Sequence, residues 1–101
     1  MMKTTIIERD GEMVALLEGR LDTSAAVQVE QDMQPLYSTT CPVIVLDCTQ
    51  LEYISSSGLR LFLALLKASK PKGIRVVISG LSDGLSKVFA MTGFTSLFEF
   101  K

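Results

Sequence analysis

Two short apolar runs, residues 3–9 (KTTIIER) and 12–18 (EMVALLE), flank the dipeptide Asp10-Gly11. A two-residue Asp-Gly between apolar runs marks a type I′ hairpin turn, because both central positions of that turn need φ > 0. The chain is therefore expected to open with two antiparallel strands. Asp22, Thr23 or Ser24 can then cap a helix by accepting its free N–H groups. Ala26, Val29, Met33, Leu36 and Tyr37 follow at three- and four-residue steps, the spacing of an amphipathic helix. Pro35 should end or kink that helix near Gln34, and residues 38–42 read as a turn.

Val43-Ile44-Val45-Leu46 is a continuous, β-branched run, as expected of a strand covered on both faces. Residues 47–57 read as a polar-rich connection containing Leu51, Tyr53 and Ile54. From Gly58 to about Ser69 the pattern is helical, with Leu59, Phe62, Leu63 and Leu66 on one face. Leu61, Leu65 and Ala68 make a second apolar line. That line is either core or an exposed stripe for a partner; core is preferred, since a helix that is apolar nearly all round is usually buried. Lys70-Pro71-Lys72-Gly73 ends the helix, and residues 74–78 (IRVVI) form another strand. Ser82 or Asp83 can cap a last helix, with Leu85, Val88, Phe89 and Thr92 on one face and Gly93 where a left-handed C-terminal residue belongs. Residues 97–100 (LFEF) predict a short final strand.

The order ββαβαβαβ places the chain in the α/β class. It implies a mixed, mostly parallel five-stranded sheet packed with helices, right-handed crossovers, and the first strand antiparallel at an edge. No repeat, linker or low-complexity segment divides the chain, so residues 1–101 are expected to form one domain.

Composition narrows the function. The chain has 101 residues, 48% hydrophobic and 21% charged, which is a globular rather than a disordered balance. Ten basic and eleven acidic residues give a net charge of −1 with no basic block, which argues against a nucleic-acid partner. There are two cysteines and no histidine, a poor set for structural zinc. Cys48 reads as a small buried hydrophobe, with a disulfide the minority reading. The opening residues are not expected to be a signal peptide, since no apolar run or small-residue cleavage site follows them, and no stretch reaches the roughly 20 apolar residues that span a bilayer. The cytoplasm is the expected location, with no direct membrane insertion.

An enzyme is the least expected class. Without histidine the commonest general base is absent, and a Ser-His-Asp or Cys-His arrangement cannot be built. No phosphate-binding GxxxxGK[ST] or GxGxxG loop occurs, and no cofactor is expected. Asp10, Asp22, Asp47 and Glu52 are scattered. Asp47 is placed at the carboxyl end of a central strand, where α/β folds bind ligands, but a structural role beside a loop is preferred.

The informative segment is Tyr53-Ile54-Ser55-Ser56-Ser57-Gly58-Leu59-Arg60. In structural terms, one serine caps the helix and the others bond turn backbone. The same place also suits a switch. A helix N-terminus carries partial positive charge, and a phosphate there adds about −1.5 to −2 charges.

Three segments together carry a family resemblance. Gly19-Arg20-Leu21-Asp22 looks like a Gly-x-Leu-Asp ending the second strand. Residues 43–66 (VIVLDCTQLEYISSSGLRLFLALL) resemble a buried strand, Asp/Asn, loop, Asp-Ser-Ser/Thr-Gly-Leu and helix. Ser86-Lys87-Val88-Phe89-Ala90-Met91-Thr92-Gly93-Phe94 resembles the last helix and its end. In that order and spacing they resemble the STAS-domain family of anti-sigma factor antagonists. The resemblance implies a STAS fold and a protein that, unphosphorylated, binds an anti-sigma factor that is also a serine kinase. Phosphorylation then releases it, and a PP2C-type phosphatase resets it. Residue by residue, the family's aspartate falls on Ser55, the phospho-acceptor on Ser56, and its neighbour, the runner-up acceptor, on Ser57. Asp22 takes the place of the loop aspartate. The implied partner surface is Asp22, Thr23, Ser55, Ser56, Ser57, Gly58 and Arg60. Ser55 departs from the family's aspartate and leaves less negative charge beside the acceptor. Many members continue into a further helix beyond the position of Lys101. The alternative within the resemblance is a non-catalytic STAS subunit of a lipid or ABC-type membrane transporter; ligand sensing is a third.

Overall fold

A computed structural model describes residues 2–101. Strands β1 (Met2–Arg9) and β2 (Glu12–Leu21) form the antiparallel hairpin, and Asp10 and Gly11 at its tip have φ of 54° and 79°. The chain continues through helices α1 (Thr23–Asp32) and α2 (Gln34–Ser38), strand β3 (Val43–Ile54), helix α3 (Ser56–Ser69), strand β4 (Arg75–Ser79), helix α4 (Asp83–Met91) and strand β5 (Glu99–Phe100). The sheet order is β1-β2-β3-β4-β5, antiparallel only between β1 and β2. This is the mixed, mostly parallel sheet that the pattern implied.

The sheet order decides where the core lies. Right-handed crossovers that advance steadily from β2 to β5 put every helix on the same face. Accordingly, Ala15, Leu17, Ile44, Leu46, Cys48, Val76 and Ile78 join one core cluster with Val29 of α1, Leu36 of α2, Phe62 and Leu65 of α3, and Phe89 of α4. The other face carries the cross-strand row Ile7, Val14, Val45 and Val77. At the far end of the core, Phe89 touches four aromatic neighbours, Phe62, Phe94, Phe98 and Phe100.

Several boundaries differ from the sequence reading. The first helical region is two helices. α1 stops at Asp32, and Pro35 lies in the first turn of α2, where its missing N–H costs nothing. The largest correction is β3, which does not end at Leu46 but runs on to Ile54, so most of the expected polar connection is strand. It can do so because β2 stays paired beside it as far as Leu21↔Ile54, through register shifts between Leu16 and Glu18 and between Gly19 and Arg20. Leu51 and Ile54 still face the core, while Thr49, Gln50, Glu52 and Tyr53 are exposed. Asp47 is therefore inside the strand; what stops there is the pairing with β4, at Asp47↔Ser79. α3 starts at Ser56 rather than Gly58. In its second apolar line Leu61 and Leu65 are core, as preferred, but Ala68 is exposed. Thr92 is exposed too, and the final strand is only Glu99–Phe100: Leu97 still has helical backbone, as the C-cap of a 3₁₀ turn at Phe94–Ser96, and Phe98 lies in a bend.

Candidate functional site

β2 and β3 end side by side, and each hands its chain to a helix. Leu21 pairs with Ile54, and the Ser55 N–H donates to the Leu21 carbonyl at 2.8 Å. The caps of α1 and α3 are thereby held together. Asp22 caps α1: its Oδ1 accepts from the Ala25 N–H at 2.9 Å and from the Ser24 hydroxyl at 2.9 Å. Ser55 caps α3: its Oγ accepts from the Gly58 N–H at 3.1 Å, and its carbonyl accepts from the Leu59 N–H at 2.9 Å.

The three serines are not equivalent. Ser55 is buried and occupied by its cap, Ser57 is half-buried, and Ser56 is exposed in the first turn of α3. Ser57 shares a shallow groove of about 350 Å³ with Thr23, Ala26, Val27, Glu30, Arg60 and Leu61. The groove therefore joins the starts of α1 and α3. The structure brings Thr23, Ser57 and Arg60 to one surface; Asp22 and Ser55 cap the two helices that meet there, Ser56 is exposed in the first turn of α3, and Gly58 is buried. Gly58 is there because nothing larger fits: a Cβ on it would lie 2.7 Å from Leu21 Cγ and 2.8 Å from Ile54 Cγ1.

One neighbouring contact escaped the sequence reading. The Arg20 guanidinium stacks over the Tyr53 ring, 4.5 Å from its centroid. The two residues are register partners at the ends of β2 and β3. Their pairing becomes visible only once β3 is known to reach Ile54. An exposed Tyr and an Arg beside the serines are residue types that protein interfaces favour.

The electrostatics follow from the hydrogen bonds. The backbone bond from Ala25, then the Ser24 hydroxyl, hold the Asp22 carboxyl below the usual carboxylate range, and Arg20 adds to the effect. A lowered folded-state value means that the cap stabilises the fold above the ordinary carboxylate range and is lost as pH falls through the lowered value. Asp22→Ala is thus expected to lower the urea midpoint at neutral pH, with the gap to the parent protein closing in acid. A gap that is independent of pH would show that the carboxylate is not the cap.

Other candidate chemistry is structural or silent. Asp47 accepts from the Thr49 N–H at 3.0 Å, a local contact within β3. Burial, then Asp47, push the Cys48 thiol up to about 12, so it stays protonated at neutral pH and is a core atom rather than a nucleophile. Both cysteines are free. Among the described residues no three His, Cys, Asp or Glu side chains converge on a metal position, and no helix is long and apolar enough to cross a membrane.

Comparison with known proteins places the chain and its fold. The family model described as STAS domain matches residues 3–101. A Bordetella bronchiseptica protein, provisionally named the anti-sigma factor antagonist BtrV, is 33% identical over 97 residues, covering 96% of this chain and 84% of that protein. An anti-sigma factor antagonist from Mycobacterium paratuberculosis has the same fold, with a TM-score of 0.85 at 24% identity over 99% of this chain and 85% of that one. A sulfate transporter family protein from Wolinella succinogenes shares it as well, with a TM-score of 0.75 at 18% identity, covering 93% and 80% of the two chains.

Proposed function

The chain belongs to the STAS-domain family, and from that premise we propose that it is an anti-sigma factor antagonist whose binding is switched at Ser56. Unmodified, it binds an anti-sigma factor that is also a serine kinase, so the sigma factor is freed. The kinase moves the γ-phosphoryl group of a nucleoside triphosphate to Ser56: an Oγ–P bond forms, the bond to the β-phosphate oxygen breaks, and the hydroxyl proton leaves to a base of the kinase. A PP2C-type phosphatase hydrolyses the ester and restores the binding form.

The observation that carries this reading is the unequal exposure of the three serines. Ser56 alone is exposed, in the first turn of α3, while Ser55 is spent on the cap and Ser57 is partly covered by the groove. The names of similar proteins support the antagonist role. The docking surface is Asp22, Thr23, Ser56, Ser57 and Arg60; Ser55 and Gly58, which the resemblance also implied, are buried and support that surface instead of touching a partner. A phosphate there brings a dianion under the partner, close to the Asp22 carboxylate. Burying charge without a compensating partner is costly. Binding is lost without any change of fold.

The test is a pull-down from the native organism's lysate with Ser56→Ala and Ser56→Asp baits side by side. The Ala bait is expected to retain a kinase-type anti-sigma factor and the Asp bait to bind it at least about tenfold more weakly, a loss of about 1.4 kcal/mol. Ser57→Ala should behave like the parent protein; if it alone abolishes phosphate incorporation, Ser57 is the acceptor. Equal retention by the Ala and Asp baits would sink the switch. If both hold transporter subunits, the role is the one suggested by the shared fold of the Wolinella protein, and the serines are helix caps.

A further inference from the structure

We infer that Arg60 takes hold of the phosphate once Ser56 carries one, and in doing so is withdrawn from the docking surface. This rests on the reading of Ser56 as acceptor. Ser56 and Arg60 are four residues apart on α3, hence one turn apart on the same face. Side chains on a helix lean toward its N-terminus, so Arg60 extends over the turn that holds Ser56. Arg60 is exposed and has no hydrogen bond or ion pair among the described residues, where the one salt bridge is Arg75–Glu99. It lines the groove with Glu30 but is not bonded to it.

No other Lys or Arg side chain among the described residues is as well placed. α1 contains no Lys or Arg, the next basic residue of α3 is Lys67 in its last turn, and Arg20 is stacked on Tyr53. A guanidinium can meet two phosphate oxygens at once, which an ammonium cannot do with the same geometry. Before modification, Arg60 offers five unshared N–H donors to a partner at the groove. Afterwards they face the phosphate one turn away. Phosphorylation would then subtract a donor from the surface as well as add a charge to it.

The experiment places phosphoserine at position 56 during translation, so its result does not depend on whether the cell's kinase uses Ser56. The second pKa of the phosphate is read by ³¹P NMR in the parent protein and in Arg60→Ala, Arg60→Lys and Lys67→Ala variants. Removing the guanidinium is expected to raise that pKa by about 0.15–0.4 unit, the size of a favourable i,i+4 ion pair expressed as a pKa shift. Arg60→Lys should fall between the two, and Lys67→Ala should match the parent. An Arg60→Ala value within about 0.1 unit of the parent, or an equal shift on Lys67→Ala, overturns the inference. Failure of the Ser56 pull-down would instead strike the acceptor reading and leave this measurement standing.

Discussion

Phe89→Ala is expected to cost about 3–5 kcal/mol, enough to remove a large part of the roughly 5–15 kcal/mol that holds a domain of this size together. Phe89 is 0% exposed, and its ring lies 6.0–6.3 Å from those of Phe62, Phe94, Phe98 and Phe100. Three of the four meet it edge-on, the favoured arrangement for aromatic pairs. Three of the four also belong to the C-terminal segment. Beyond these rings that segment is held by an exposed Arg75–Glu99 ion pair and a short ladder, since β5 pairs with β4 only at Val77↔Glu99 and Ile78↔Phe100. The cavity left by alanine would thus loosen both α4 and the last strand. Urea unfolding followed by circular dichroism measures the loss, and hydrogen exchange at Lys101, whose N–H donates to the Ile78 carbonyl at 3.0 Å, reports whether β5 detaches first. A loss below about 1 kcal/mol would mean that the neighbouring rings collapse into the space.

The second large effect is expected at Gly58. Here an added group has nowhere to go: its Cβ would lie 2.7 and 3.0 Å from Leu21 Cγ and Cδ2 and 2.8 Å from Ile54 Cγ1. Leu21 is 0% and Ile54 4% exposed, so neither can swing outward. Overpacking a filled core costs about 1–3 kcal/mol. Alanine recovers about 1 kcal/mol of that through its better helix propensity. Gly58→Ala should therefore be mildly destabilised, and Gly58→Val, with two more methyl groups and no such compensation, should lose about 3 kcal/mol. The same variants should weaken partner binding, because any relief of the clash moves the first turn of α3 and Ser56 with it. A Gly58→Ala protein more stable than the parent would show that the core gives way there.

Legibility in the sequence followed the range of the forces involved. The Asp10-Gly11 hairpin is decided within four residues and is readable as such; the two helix caps are readable only as a choice, Asp22, Thr23 or Ser24 and Ser82 or Asp83, which the structure resolves to Asp22 and to Ser82, whose hydroxyl accepts from the Leu85 N–H. The serine cluster was readable as a helix entry, but which serine caps it depends on the Ser55 link to Leu21, a contact across 34 positions. The length of β3 was hidden because past Asp47 the strand loses β4 and keeps only β2, so Thr49, Gln50, Glu52 and Tyr53 look like loop residues. The stacking of Arg20 on Tyr53 was hidden with it. Gly58 is visible in the sequence as part of a motif, but its close approach to Leu21 and Ile54 is set by how α3 sits on the sheet.

The tie between the Ser55 N–H and the Leu21 carbonyl, with Gly58 wedged against the same two strand ends, leaves the first turn of α3 no slack. A residue mounted so firmly conveys its state through what it presents and not through how it moves. The modified and unmodified proteins should accordingly diffuse alike, scatter X-rays alike and relax alike. A partner then encounters either a finished match or a finished mismatch. The tempo of switching is left to the enzymes that write and erase the mark and to the lifetime of the complex, with no backbone rearrangement to wait for.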